Sequence, residues 1–455
     1  MSDWARQSFF YHIYPLGLCG APQQNDFHSP PVARLDSLVP WLDHARDLGA
    51  NALYLGPVFE STAHGYDTAD YFTVDRRLGT NETLARLCDE ARARGIRIVL
   101  DAVFNHVGRD FWAFRDVREK GKDSPYCSWF QGLSFAKKSP LGDAFTYDTW
   151  NGHYSLVKLD VRAPAVQAHL FAAVTRWSRD FGIDGLRLDA ADCLDLEFLR
   201  ALRTHGKSLN QDFWLLGEIV HGDYRRWIAP DLLDSVTNYE CYKGLYSSHL
   251  DANYFEIAYS LNRQFGPTGI YKGFPLYNFA DNHDVDRVAS SLSTPAQLAP
   301  LYTILFTMPG VPSVYYGSEW GIQGRKDGTD RQLRPSLDIA LVPRDSPERG
   351  LAATIAVLAR ARAASLALRT GDYSQVHVAD RQLVFARSLS EEQVIVAVNA
   401  DSHPMSLDLT APQIADGRLV DMLDPSVCVD ASGGRLRLPG IPAYGARILR
   451  RAPMA

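Results

Sequence analysis

The most reactive short stretch in the chain is Asp184-Gly185-Leu186-Arg187-Leu188-Asp189-Ala190-Ala191-Asp192. Read as a strand, it places residues two apart on one face. Leu186 and Leu188 then point one way, Arg187 and Asp189 the other. A guanidinium beside a carboxylate favours the ionised acid, and an ionised carboxylate at the end of a buried strand can act as a nucleophile. A structural ion pair at a strand end would look the same on this segment alone. Three further apolar runs, however, end in groups of the same kind. Ile96-Arg97-Ile98-Val99-Leu100 leads into DAVFNH (101–106), Phe213-Trp214-Leu215-Leu216 into Gly217-Glu218, and Pro275-Leu276-Tyr277-Asn278-Phe279 into ADNHD (280–284). Isolated buried carboxylates are costly, so four such strand ends are hard to assign to packing. Two carboxyl groups, one nucleophile and one acid, are the minimum for breaking a glycosidic bond.

Strands alternating with helices must position these groups. Helical apolar spacing is expected over 38–48, 84–93, 165–181 and 351–367, and strands over 9–14, 52–55, 96–100, 184–189, 213–216, 235–237, 275–279 and 313–316. Eight strands with helices between them imply parallel βα units closed as a (β/α)8 TIM barrel. Sites on such barrels form at the C-terminal strand ends. From Val107 to Asp160 the rhythm breaks into Phe, Trp, Tyr, Gly, Ser and Lys. A structureless loop of that length is uncommon, so this segment reads as an inserted domain. Beyond Gly371, short strand patterns at 383–386, 394–398, 405–409 and 436–438 imply a C-terminal antiparallel β-sandwich. The expected division is therefore 1–106 and 161–370 for the barrel, 107–160 for the insertion after strand three, and 371–455 for the sandwich.

Composition narrows the partners. The 455 residues carry a net charge of −6 and are 46% hydrophobic, enough for a large core and without the basic excess that nucleic acid requires. The six cysteines form no CxxC pair, which argues against a zinc or redox site. The first residues lack the charged start and apolar run of a signal peptide, and no stretch is long enough to span a membrane. A cytoplasmic location with reduced thiols is expected. A barrel for phosphorylated sugars would want a glycine-rich loop near strands seven and eight; Gly310 and Gly317 are too sparse.

Taken together, DAVFNH (101–106), GLRLD (185–189), GEIV (217–220) and FADNHD (279–284) resemble the four signatures of the α-amylase superfamily, in that family's order. The runs 64–80 and 308–321 are similar to further family patterns. The resemblance implies that Asp189 is the nucleophile, Glu218 the general acid/base and Asp284 the third carboxylate. It further implies that Arg187 holds Asp189, that His106 and His283 bind sugar hydroxyls, and that Tyr66 stacks on the sugar at the cleavage point. Glu218 has no neighbouring cation in sequence, so burial and nearby anions are free to raise its pKa. Asp330 and Arg334 match positions where relatives bind the sugar one step further out, though a solvated charged loop is as good a reading. His221 is either a border of the acceptor side or a surface histidine, and Trp214 is expected in the core. Asn105 matches a position that often ligates calcium; no cofactor is required, and calcium is the one ion the resemblance admits.

Asp189 is followed by Ala190-Ala191 rather than the Lys-His pair of many endo-acting relatives. The runs 147–152 and 156–160 look like the neopullulanase, cyclomaltodextrinase and maltogenic amylase group. That group usually carries an N-terminal domain that makes dimers, whereas this chain starts almost at its first barrel strand, so a monomer is expected. The implied activity is hydrolysis of α-1,4 links in maltodextrins, starch or cyclodextrins, maltose-forming, with transglycosylation alongside. The alternatives are an exo-acting α-glucosidase, a sucrose- or trehalose-handling relative, or an inactive barrel that only binds sugar.

Overall fold

Eight short strands form one parallel sheet in a computed structural model of the chain, which describes residues 3–390 and 392–451. They are β1 Phe10–Ile13, β2 Ala52–Leu55, β3 Arg97–Ala102, β4 Gly185–Leu188, β5 Trp214–Gly217, β6 Ser235–Val236, β7 Tyr277–Phe279 and β8 Val311–Tyr315. Their order is β7-β8-β1-β2-β3-β4-β5-β6. A parallel bridge between Thr237 and Tyr277 links the two ends, with the Asn238 N–H donating to the Tyr277 carbonyl at 2.9 Å.

Alternation along each strand sorts the side chains. Phe10, Ala52, Tyr54, Val99, Trp214, Leu216, Tyr277, Phe279 and Val311 form one cluster, which fills the barrel. Tyr11, Ile13, Leu53, Leu55, Ile98, Leu100, Leu186, Leu188 and Leu215 belong to the larger core beneath the helices. Trp214 is core as expected, its ring 5.2 Å from that of Phe10. The helices Val39–Leu48, Asn81–Ala93 and Pro164–Phe181 bury their apolar stripes on this outer surface. Gly49 ends the first of them at φ 96°, a left-handed stop at which a Cβ would be strained. The helix expected over 351–367 is two, Leu351–Ala364 and Leu366–Thr370. Ser365 between them is extended, and its hydroxyl accepts the Leu368 N–H, the local bond that makes Ser a cap rather than a helix interior residue.

The inserted segment carries the helix Trp112–Lys120 and a three-stranded antiparallel sheet of His106–Gly108, His153–Lys158 and Thr149–Trp150. Phe111, Phe114, Trp129, Phe130, Phe145 and Tyr147 bury it against the barrel core. At the other end of the chain, eight antiparallel strands form one hydrogen-bonded sheet. That sheet encloses its own core, in which Val384, Ile395 and Leu449 meet Leu409, Leu419, Leu436 and Leu438.

Candidate active site

Strand register brings the polar strand ends together. Asp101 on β3 pairs directly with Arg187 on β4, which pairs with Leu216 on β5. Leu186 and Leu188 go to the outer core, so Arg187 and Asp189 face the barrel mouth. Arg187 is 2% exposed and touches three carboxylates. One terminal nitrogen donates to Asp101 Oδ1 and Oδ2 at 2.9 and 3.2 Å and to Asp189 Oδ1 at 2.9 Å. The other lies 2.7 Å from Glu218 Oε1. Glu218 has no cation beside it in sequence, but adjacency in the barrel supplies Arg187. Arg187 is likewise not reserved for Asp189.

Burial is the largest influence on this cluster. It pushes Glu218 above the ordinary carboxylate range, with Arg187 opposing and Asp284 adding to the rise. Burial, helped by Glu218, Asp101 and Asp284, also pushes Asp189 well up against the pull of Arg187. Asp189 and Glu218 share one guanidinium and interact strongly, so the upward shift belongs to the pair, and one shared proton relieves the crowding. Asp284 goes the other way. His283, Arg334 and Arg187 hold it well below the usual range although burial opposes them.

The remaining predicted residues converge on the same place. His283 Nε2 lies 3.0 Å from Asp284 Oδ2 and also meets the Tyr66 hydroxyl. The Tyr66 hydroxyl donates to Asp101 Oδ2 at 2.9 Å, and its ring stacks on His283 at 5.4 Å. His106 Nε2 is 3.8 Å from Asp189 Oδ2, buried and without a hydrogen-bond partner. Arg334 donates to Asp284 Oδ1 at 2.8 Å and lies 2.9 Å from Asp330 Oδ2, so these two residues form part of the wall rather than a solvated loop. His221 is exposed. The Asn105 carboxamide donates to His106 Nδ1 at 3.1 Å. Among the described residues no group of three or more His, Cys, Asp or Glu gathers to hold a metal ion.

Several residues that complete the site have no motif to betray them. Tyr54 donates to Asp101 Oδ2 at 2.6 Å, and His12 stacks on Tyr54 at 4.1 Å. Tyr14 stacks on His283 at 5.9 Å beneath the Arg334 guanidinium. Ala190, at φ 44°, turns its N–H onto Glu218 Oε2 at 3.0 Å. Inward alternation on β1 and β2 was the signal available for His12 and Tyr54; Ala190 offered none.

The description "Alpha amylase, catalytic domain" matches residues 32–349 of the chain. The chain belongs to the α-amylase family. It is 32% identical to a cyclomaltodextrinase from a Bacillus species over 417 residues, covering 88% of this chain and 73% of that one. Neopullulanase 2 of Thermoactinomyces vulgaris is also 32% identical, over 97% of this chain and 77% of its own. Among solved structures, the cyclic α-maltosyl-(1→6)-maltose hydrolase of Arthrobacter globiformis superposes with a TM-score of 0.83 at 31% identity, over 99% of each chain. This family member is an α-amylase-type glycoside hydrolase, close to the cyclomaltodextrinases and maltogenic amylases. Among its described residues no helix is long and apolar enough to cross a membrane.

Proposed function

We propose that this enzyme hydrolyses α-1,4-glucosidic links in maltodextrins, starch or cyclodextrins with retention, releasing maltose and transferring glycosyl units to sugar acceptors. The single observation that carries the reading is that Asp189 and Glu218 sit on the two terminal nitrogens of one guanidinium, at 2.9 and 2.7 Å. Carboxyls so held face one sugar ring, in keeping with the separation of about 5–5.5 Å of retaining enzymes rather than the roughly 6.5–9.5 Å of inverting ones. Glu218, raised by burial, gives its proton to the glycosidic oxygen as that oxygen takes the bonding pair from the anomeric carbon. Asp189 Oδ2, the oxygen not bonded to Arg187, attacks that carbon. Water then gives a proton to Glu218 while its oxygen displaces Asp189. Asp284, held ionised, and the unpartnered His106 Nε2 meet the ring hydroxyls.

A second reading has its own support. The correspondence with the Arthrobacter hydrolase runs over 99% of both chains, which favours a small cyclic α-glucan as substrate. The test is chromatography of products from β-cyclodextrin, soluble starch, maltotriose, sucrose and cyclic maltosyl-maltose in parallel. Maltose from cyclodextrin and starch supports the first reading. Cleavage confined to cyclic maltosyl-maltose supports the second. Glucose released one unit at a time would replace both with an exo-glucosidase, and binding without release of any reducing sugar would leave only a sugar-binding barrel.

A further inference from the structure

Beside Glu218 lies a pair of polar side chains that the reaction above does not use. Tyr239 follows β6, and Asn282 lies in the loop after β7. The Asn282 carboxamide works in two directions. Its oxygen accepts the Asp284 N–H at 2.8 Å, and its NH2 donates to the Tyr239 hydroxyl at 3.2 Å. The Tyr239 hydroxyl in turn lies 3.5 Å from Glu218 Oε1. Phe279, edge-on at 5.0 Å, fixes the Tyr239 ring.

We propose that Asn282 and Tyr239 form a positioning relay that sets the acidity of Glu218, an inference that rests on the hydrolase reading above. A phenol has one proton. With Asn282 donating into its oxygen, that proton is left to point at Glu218, the acceptor within its reach. A hydrogen bond donated to a carboxylate favours its ionised form. The relay therefore limits how far burial can raise Glu218, so the acid that protonates the leaving group in the first half-reaction can still serve as base in the second. Because Asn282 also holds the Asp284 backbone, the acid/base and the third carboxylate are tied to one carboxamide. The charged and titratable groups facing Glu218 are Arg187 and Asp189 from β4, Asp284 and His283 after β7, and Tyr54 from β2. Those facing Tyr239 are Glu218, Asp284 and Arg187. A change at Tyr239 leaves all of them in place.

The experiment is the pH dependence of kcat/KM for Tyr239→Phe on maltotriose, whose sugar leaving group must be protonated, and on α-maltosyl fluoride, whose leaving group needs no proton. On maltotriose the alkaline limb moves to higher pH by about half a unit to one unit. On the fluoride, kcat/KM stays at the wild-type value. Asn282→Ala moves the same limb in the same direction, and the double variant moves it no further than Tyr239→Phe alone. An unmoved limb, or additive shifts in the double variant, overturns the relay. A thermal scan identifies a Tyr239→Phe protein that has not folded, in which case an unmoved limb in Asn282→Ala overturns it. Glu218→Gln, run in parallel, separates the two levels. If that variant hydrolyses maltotriose like wild type, the acid/base assignment itself has failed.

Discussion

Replacing Glu218 by Gln should cost the enzyme its activity while making its fold more stable. Glu218 is buried among Asp189 and Asp284, and its folded-state pKa is raised by that burial. The folded protein therefore holds a proton that the unfolded chain releases. Stability from this group is full below the ordinary glutamic acid pKa of about 4.3 and is lost as pH climbs through the raised value. Gln has the shape of the protonated acid and cannot ionise. Its one oxygen serves either the Ala190 N–H or Arg187, where Glu218 serves both, while Arg187 retains Asp101 and Asp189 at 2.9 Å, so the guanidinium charge stays paired. Relief of active-site strain of this kind is typically worth about 0.5–2 kcal/mol. A chain of 455 residues unfolds with an entropy of roughly 1 kcal/mol/K, so the expected rise in Tm is about 0.5–2 °C. Differential scanning calorimetry at pH 7.5 and again at pH 4 checks the size and the sign: the gain belongs at the higher pH and disappears at the lower. Reducing-sugar release from maltodextrin should fall by about 10²–10⁴-fold. A Glu218→Gln protein that melts below wild type at pH 7.5, or that keeps more than about a tenth of wild-type activity, would refute this account of the cluster.

Asp284→Asn should show the opposite stability sign. His283, Arg334 and Arg187 depress the Asp284 pKa, so its stabilisation is present above about pH 4 and fades as pH falls through the depressed value; the variant melts below wild type at pH 7.5, the gap narrows in acid, and kcat/KM drops by about 10²–10³-fold. Arg187→Met leaves three carboxylates without their shared cation, which should cost about 3–5 kcal/mol in urea denaturation at neutral pH and less as those acids are protonated. Gly185→Ala would bring a Cβ to 2.3 Å from the Trp214 carbonyl oxygen, forcing β4 from β5; separation of Arg187 from Glu218 should lower activity more than Tm, measured side by side.

Much of this enzyme could be read from local pattern. The period-two alternation of 184–189 places Arg187 and Asp189 on the face away from Leu186 and Leu188, because neighbouring side chains on an extended backbone leave opposite sides. The same logic marks Asp101, Glu218 and Asp284 at the ends of apolar runs, and the alternation of strand and helix implies the barrel. The C-terminal strands were less legible. Gly445–Arg451 is central in its sheet yet carries Arg447 and Arg450, and their partners Asp421 and Glu392 come from other strands. A charged residue whose counter-ion is remote in sequence looks like surface until the sheet is assembled.

What only the tertiary structure decided was who shares a charge with whom. Parallel pairing puts Asp101 beside Arg187 across 86 residues of chain, and barrel curvature brings Glu218 onto the same guanidinium. The Asn282–Tyr239 link to Glu218 crosses from the β7 loop to β6 and β5 in the same way. Side-chain direction follows from the backbone of a few residues, but register, closure and the depth of burial depend on the whole fold. Those long-range quantities set which carboxyl keeps its proton.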